Sequence, residues 1–196
     1  MSKREEKKTA TRQTLLDTAD QLIAQKGYEH LSVEEITKAS GIAKGTFYNY
    51  FKKKEDLIAE LGRQHFRPLN DSIVELAAKY GVLKSIQIYL EKYSQIIEDS
   101  GLERLRSWLQ FIMSNKKVES KWELDIKVLQ DSLQQLLEQK KLKPNTPTLL
   151  LATSIMEHIY GLLLIWTMNP ETRLTSRVQS YTHFELPLLL NDYITL

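Results

Sequence analysis

The chain has no cysteine, which excludes disulfides, zinc fingers and thiol chemistry and suits a reducing cytosol. Proline and glycine are scarce, at five and seven, and neither a low-complexity linker nor an internal repeat interrupts the sequence. No segment alternates polar and apolar residues for long enough to make a strand. Net charge is nearly absent, at +2 over 196 residues, so any positive surface must come from placement rather than abundance. The opening stretch, MSKREEKKTATRQ, is charged and lacks an apolar run, so it is not a secretory signal. It is expected to be a mobile basic arm through about Ala10. Catalytic signatures are missing as well. There is no G-x-G-x-x-G after a strand, no Walker loop, no H-E-x-x-H and no G-x-S-x-G. The four histidines are scattered, and His65 and His158 read as structural or surface residues. No enzyme activity, cofactor or metal is expected.

Helical periodicity fills the chain. Leu15, Leu16, Ala19, Leu22 and Ile23 form one stripe, closed by Gly27 at a C-cap position. Leu57, Ile58 and Leu61 continue a linking helix that Pro68 should end or kink. Further stripes run from Leu83 to Ile97, from Leu102 to Ile112 and from Trp122 to Leu136. Pro144 and Pro147 then break the chain, and Asn145-Thr146 can start the next helix. The expected fold is all-α with about nine helices. Residues 1–52 form an N-terminal domain of three helices, and residues 53–196 form a larger helical domain.

The most informative segment is SVEEITKASGIAKGTFYNYFKKKEDL, residues 32–57. Ser32 followed by Glu35 fits a capping box, and Val33 and Ile36 give the first helix an apolar face. Gly41 sits where a tight turn needs positive φ. Ile42 and Phe47 are placed to bury against Ile36. Lys44, Gly45, Thr46, Tyr48 and Asn49 are left on the open side of the second helix. From Lys38 to Lys54 there are five lysines and no acidic residue. Local basic density beside aromatic and amide side chains is what phosphate contact and base reading require. This is how a helix-turn-helix DNA reader is written. Thr46 and Asn49 are the base-edge candidates, and Gly45 allows close approach to the groove. Ser32, Lys44, Tyr48 and Lys54 are the phosphate candidates.

Ser32, Ile36, Ser40, Gly41, Ala43, Gly45, Thr46, Phe47, Tyr48, Tyr50, Phe51, Lys54 and Leu57 agree in order and spacing with the DNA-binding end of a known family. The segment resembles the TetR family of bacterial transcriptional regulators, over about residues 11–61. Thr37 replaces the usual Ala, and Ala43 replaces a common Ser or Thr that would cap the second helix. The resemblance implies a homodimer and a ligand pocket in the C-terminal domain whose occupation moves the linking helix.

Residues 149–168, LLLATSIMEHIYGLLLIWTM, are apolar nearly all round. Such a helix either spans a membrane or is buried on two sides. Glu157 and His158 at its centre disfavour lipid, so a second subunit is expected to cover one side. Leu174, Val178, Tyr181 and Leu188 make a similar stripe, with a bend near Pro187. Residues 147–195 are therefore the expected homodimer interface. Phe66, Tyr89, Tyr93, Trp108, Phe111, Trp122, Met156 and Tyr160 either line an apolar ligand cavity with tyrosine hydroxyls as fixing points or fill a core. The expectation is a cytoplasmic, homodimeric repressor that binds a palindromic operator in double-stranded DNA and is released by a small, mainly apolar effector. The alternative is a helix-turn-helix architectural or protein-interaction DNA-binding protein without a small ligand.

Overall fold

A computed structural model describes residues 2–114 and 121–195. Eleven α-helices are present among them: α1 (Lys3–Lys26), α2 (Val33–Ser40), α3 (Lys44–Tyr48), α4 (Lys54–Asn70), α5 (Ile73–Tyr80), α6 (Val82–Ser100), α7 (Leu102–Ser114), α8 (Lys121–Glu138), α9 (Thr148–Met168), α10 (Leu174–Phe184) and α11 (Leu186–Leu190). A 3₁₀ turn, Asn191–Tyr193, follows. The described residues contain no strand, and a single antiparallel bridge joins Leu142 to Ile194. The all-α expectation holds. The count exceeds nine because Pro187 splits the last helix and a short helix, α5, separates α4 from α6.

Three local expectations meet a different outcome. The N-terminal arm is helical from Lys3, because Ser2 and Glu5 form a capping box and no Gly or Pro interrupts the run that follows. Pro68 lies within the last turn of α4, which continues to Asn70. The missing N–H therefore costs only one bond, close to where the helix ends anyway. α9 starts at Thr148, with Pro147 as the flanking residue, while the Thr146 hydroxyl donates to the Lys143 carbonyl at 2.6 Å.

Residues group into two compact units. One contains the chain up to His65 together with α7 from Glu103 onward, and the other contains residues 66–102 and the chain from α8 onward. In the first unit Leu15, Leu16, Ala19 and Ile23 of α1 pack with Leu31, Ile36, Phe47, Phe51, Leu57, Ile58, Leu61 and Phe111. Full burial of each large apolar side chain contributes roughly 1.5–3 kcal/mol. α7 was not distinguishable from the other C-terminal helices in sequence, yet it completes this core through Phe111. Polar ties fix it there. The Tyr28 backbone N–H donates to the Ser107 hydroxyl at 2.9 Å, Gln110 donates to Glu29 at 2.9 Å, and Arg104 pairs with Asp20.

In the second unit α8 packs along α9, and α5 and α10 pack along α6. Ile86, Tyr89, Leu90, Leu129, Leu133, Ile155, Met156, Ile159 and Val178 are fully buried there. One side of α9 is inside this unit, through Leu151, Ile155, Ile159 and Leu163. The other side leaves Leu150, Leu164, Ile165 and Met168 exposed.

Gly27 and Gly41 both adopt left-handed φ, at +81° and +67°. A Cβ at Gly41 would meet open space, whereas one at Gly27 would stand 2.5 Å from the Ser107 hydroxyl oxygen. Gly41→Ala should cost about 1 kcal/mol of backbone strain. Gly27→Ala should cost more, above about 2 kcal/mol, because strain and collision add. Urea unfolding of the two variants checks the order; equal losses would show that Ser107 gives way.

Candidate nucleic-acid interface and aromatic site

The reading segment is assembled by local rules. Ser32 is the N-cap of α2: its hydroxyl accepts from the Glu35 N–H at 3.2 Å, and its own N–H donates to the Glu35 carboxylate at 3.0 Å. Gly41 ends α2 in the left-handed region and donates its N–H to the Thr37 carbonyl. Ala43 opens α3 without a side-chain cap, leaving the first amides of that helix uncovered by any side chain. Phe47 is fully buried, with its ring 5.7 Å from Phe51 and 5.5 Å edge-on from Tyr48. The Arg12 guanidinium lies 5.4 Å above the Phe51 ring.

This anchoring presents the opposite side of α3 to solvent. Lys44, Gly45, Tyr48 and Asn49 are exposed and Thr46 is half-buried. Lys38, Lys52 and Lys53 are exposed, and Lys54 is half-buried at the first position of α4. Six of the seven DNA-contact candidates thus share the α3–α4 segment. Ser32 begins α2, and its polar groups are engaged in the capping box. Lys44 pairs with Glu34, which raises the lysine's proton affinity and lowers that of the carboxylate. Glu34 is a residue that sequence reasoning missed. It stands outside the acid-free run but reaches across the turn to Lys44.

The second unit gathers most of the aromatic candidates around one buried charge pair. The Tyr93 hydroxyl donates to Asp125 Oδ2 at 2.6 Å and the Tyr160 hydroxyl donates to the same oxygen at 2.9 Å. Lys121 Nζ donates to both Asp125 oxygens, at 2.7 and 2.6 Å. It also lies 3.8 Å from the Phe66 ring centre and 4.9 Å from that of Tyr93. Phe66 and Tyr93 are tilted against each other at 4.6 Å, and Trp122 meets Tyr160 edge-on at 6.2 Å. The Tyr89 hydroxyl donates to Asn70 at 3.3 Å. Met156 is buried on α9. Burial and then the Asp125 charge push the Tyr93 and Tyr160 hydroxyls well above the ordinary phenol range. Burial lowers Lys121, with Asp125 opposing.

Trp108 and Phe111 are placed differently. Both lie on α7 in the first unit, and the Phe111 ring is 5.8 Å from Tyr28. Sequence reasoning also passed over Lys121 and Asp125, since an i,i+4 Lys–Asp pair usually lies on a helix surface. A signal was there: Asp125 falls between Trp122 and Leu129 on the apolar stripe of α8. His158 stacks on Tyr181, with ring centres 3.9 Å apart.

The sequence profile described as bacterial regulatory proteins of the tetR family matches residues 15–61, which span the anchored α2–α3 segment. Over those residues the chain carries the DNA-binding segment of the TetR family. The chain is 26% identical over 203 residues to the HTH-type transcriptional regulator AcrR of Shigella flexneri, covering 95% of the chain and 86% of that protein. Its fold is that of SmeT, the repressor of the Stenotrophomonas maltophilia multidrug efflux pump SmeDEF, with a TM-score of 0.64 and 18% identity over 94% of this chain and 90% of that one. The fold also matches the transcriptional regulator FadR of Bacillus subtilis in complex with stearoyl-CoA, with a TM-score of 0.61 and 21% identity over 87% and 95% of the two chains. The protein is a DNA-binding transcriptional regulator and not an enzyme.

The capping box that starts α2 carries a pH signature. The Lys26 ammonium, with the Ser32 hydroxyl, lowers the Glu35 carboxyl from 4.5 to about 2. A depressed carboxylate stabilises the fold above its unfolded pKa and ceases to do so as pH falls through its folded value. The stability difference between wild type and Glu35→Gln should therefore be constant at neutral pH and shrink between about pH 4.5 and about pH 2. Thermal unfolding across that range checks it; a constant difference would remove Glu35's charge from the account.

Proposed function

We propose that the protein is a homodimeric repressor of a palindromic operator, released from DNA by a small, mainly apolar ligand. Residues 1–52 act as the DNA-binding domain and residues 53–196 as the regulatory and dimerisation domain. The observation that carries the DNA-reading part is the buried Phe47 beneath an exposed Lys44, Gly45, Tyr48 and Asn49. Asn49 and Thr46 read base edges, the latter on local rearrangement of its half-buried side chain. Lys44, Tyr48 and Lys54 hold phosphates, and Ser32 positions α2 beside them. The account places the protein in the cytoplasm, where its DNA is.

The dimer reading is supported by the outward side of α9. Leu150, Leu164 and Met168 are 63%, 50% and 77% exposed, and Phe184 and Leu188 on α10 and α11 are 77% and 80% exposed. Gly161 has open space where a Cβ would stand, so another helix can approach closely there. α9 is also the one described helix long and apolar enough to cross a membrane. Its exposed Glu157 sits mid-helix, where lipid would be costly, and a polar-rimmed partner surface suits it better. Two such surfaces related by a two-fold axis join two readers in one dimer, and paired half-sites lie about 34 Å apart, one duplex turn.

Ligand response is supported by the aromatic cluster. α4 is one continuous helix: its early turns supply Leu57 and Leu61 to the reader's core, and its last part carries Phe66 against Tyr93. A ligand that favours a different Phe66 position by about 1.4 kcal/mol would shift operator affinity tenfold. FadR, which shares the fold, holds stearoyl-CoA.

Selection of bound duplexes from a random pool should recover a palindrome; a single unpaired half-site would contradict the dimeric reading. On the recovered site Lys54→Ala should weaken binding to all sequences and reduce the log–log salt slope by about 0.9, one phosphate's share. Asn49→Ala should relax one position per half-site at about 1–3 kcal/mol. An unchanged base preference would take Asn49 off the list of readers. Separately, Leu164→Glu combined with Leu188→Glu should give a monomer by sedimentation velocity with its helical signal kept. A persistent dimer would place the interface elsewhere.

A further inference from the structure

Granting the ligand-responsive reading, we propose that the second unit recognises a small amphipathic monocation, an ammonium with an apolar body. In the resting state Lys121 occupies that cation site as the chain's own stand-in. The site has the parts such a ligand needs. An ammonium lies 3.8 Å from the centre of the Phe66 ring and 4.9 Å from that of Tyr93, within the range where a ring's negative face attracts a cation. The same ammonium is held by both oxygens of Asp125, a carboxylate only 3% exposed.

The two partners of the pair differ in how firmly they are held. Asp125 has a short side chain, and Oδ2 also accepts from Tyr93 on α6 and Tyr160 on α9. Lys121 is the first residue of α8, and its side chain keeps 16% exposure. A four-carbon stem can carry its ammonium out to water, where it is strongly hydrated. When Lys121 leaves, what remains is a buried carboxylate with two hydroxyl donors and two aromatic faces, short of one cation. An entering ammonium restores every lost interaction, and its apolar body takes the place of the lysine stem. An entering anion would have to displace Asp125 instead. That breaks two tyrosine hydrogen bonds as well as the ion pair, and it strands a buried carboxylate. The geometry therefore selects a positive ligand over a negative one. Phe66, one of the two rings the cation touches, is carried by α4, so occupancy bears directly on the helix that enters the reader's core.

The test uses the full chain and three probes with one tail, n-decylammonium, decanoate and decanol, below their micelle concentrations. Isothermal titration without DNA reads binding directly. Decylammonium should bind one per chain, and decanoate at least tenfold more weakly. Lys121→Met should tighten decylammonium about tenfold by removing the internal competitor, and Asp125→Asn should weaken it by tenfold or more. Should either variant fail to fold, the wild-type comparison of the three probes still decides. Decanoate binding as tightly as decylammonium, or no decylammonium binding, overturns the cation site. If decanol or decanoate then releases the protein from its selected operator, the ligand-responsive repressor stands without the cation site. If the operator is bound and neither these probes nor host extracts release it, the ligand-responsive reading itself fails.

Discussion

Helix α3 has five residues, too few to hold its own shape in water. Its place depends on Phe47, which is fully buried among Ile36, Phe51, Leu57 and Leu61. Every other feature of the reading surface follows from that insertion. With Phe47 inward, helical spacing turns Tyr48 and Asn49 outward, and Lys44 is exposed at the first position of α3. Gly41 turns the chain between α2 and α3 without side-chain strain, and the Ser32–Glu35 box starts α2 in register. α7 seals the same core through Phe111. The exposed polar face is thus held by apolar burial beneath it rather than by its own contacts. Tyr48 and Asn49 stay exposed on it, while Lys44 rests in its ion pair with Glu34.

The second unit follows a different logic. It buries charge where apolar packing would have sufficed. A Lys–Asp pair with two tyrosine hydroxyls is weak support for stability, since desolvation offsets much of the attraction. Such a network is better suited to defining a position for a ligand or for α4. Its aromatic walls, Phe66, Tyr93 and Tyr160, come from α4, α6 and α9, so one small group can bear on several helices at once.

The reader was legible in sequence because its rules are local. Capping, the positive-φ glycine, the i,i+3 spacing of Val33 and Ile36 and the i,i+4 spacing of Phe47 and Phe51 all act within a few residues, and the α2–α3 geometry follows them. The all-α class was legible from periodicity for the same reason. What periodicity does not carry is the choice of partner. The stripe on α7 reads the same whether it packs on the reader or elsewhere, so Trp108 and Phe111 were grouped with aromatics of the other unit. Lys121 and Asp125 were missed because the Lys–Asp spacing describes an exposed pair as well as a buried one. The start of α1, from Lys3 to about Ala10, was missed because charge density was weighed above the Ser2–Glu5 cap.

The central claim is that DNA is met by the outer face of α3 with the flanking lysines. Backbone amide NMR of the labelled protein, titrated with its selected duplex, tests it most directly. The account predicts the largest shifts at residues 43–50, at Lys52 to Lys54 and at the start of α2, with the exposed side of α9 little changed. Shifts concentrated on α9 and α10, with residues 43–50 unmoved, would contradict it.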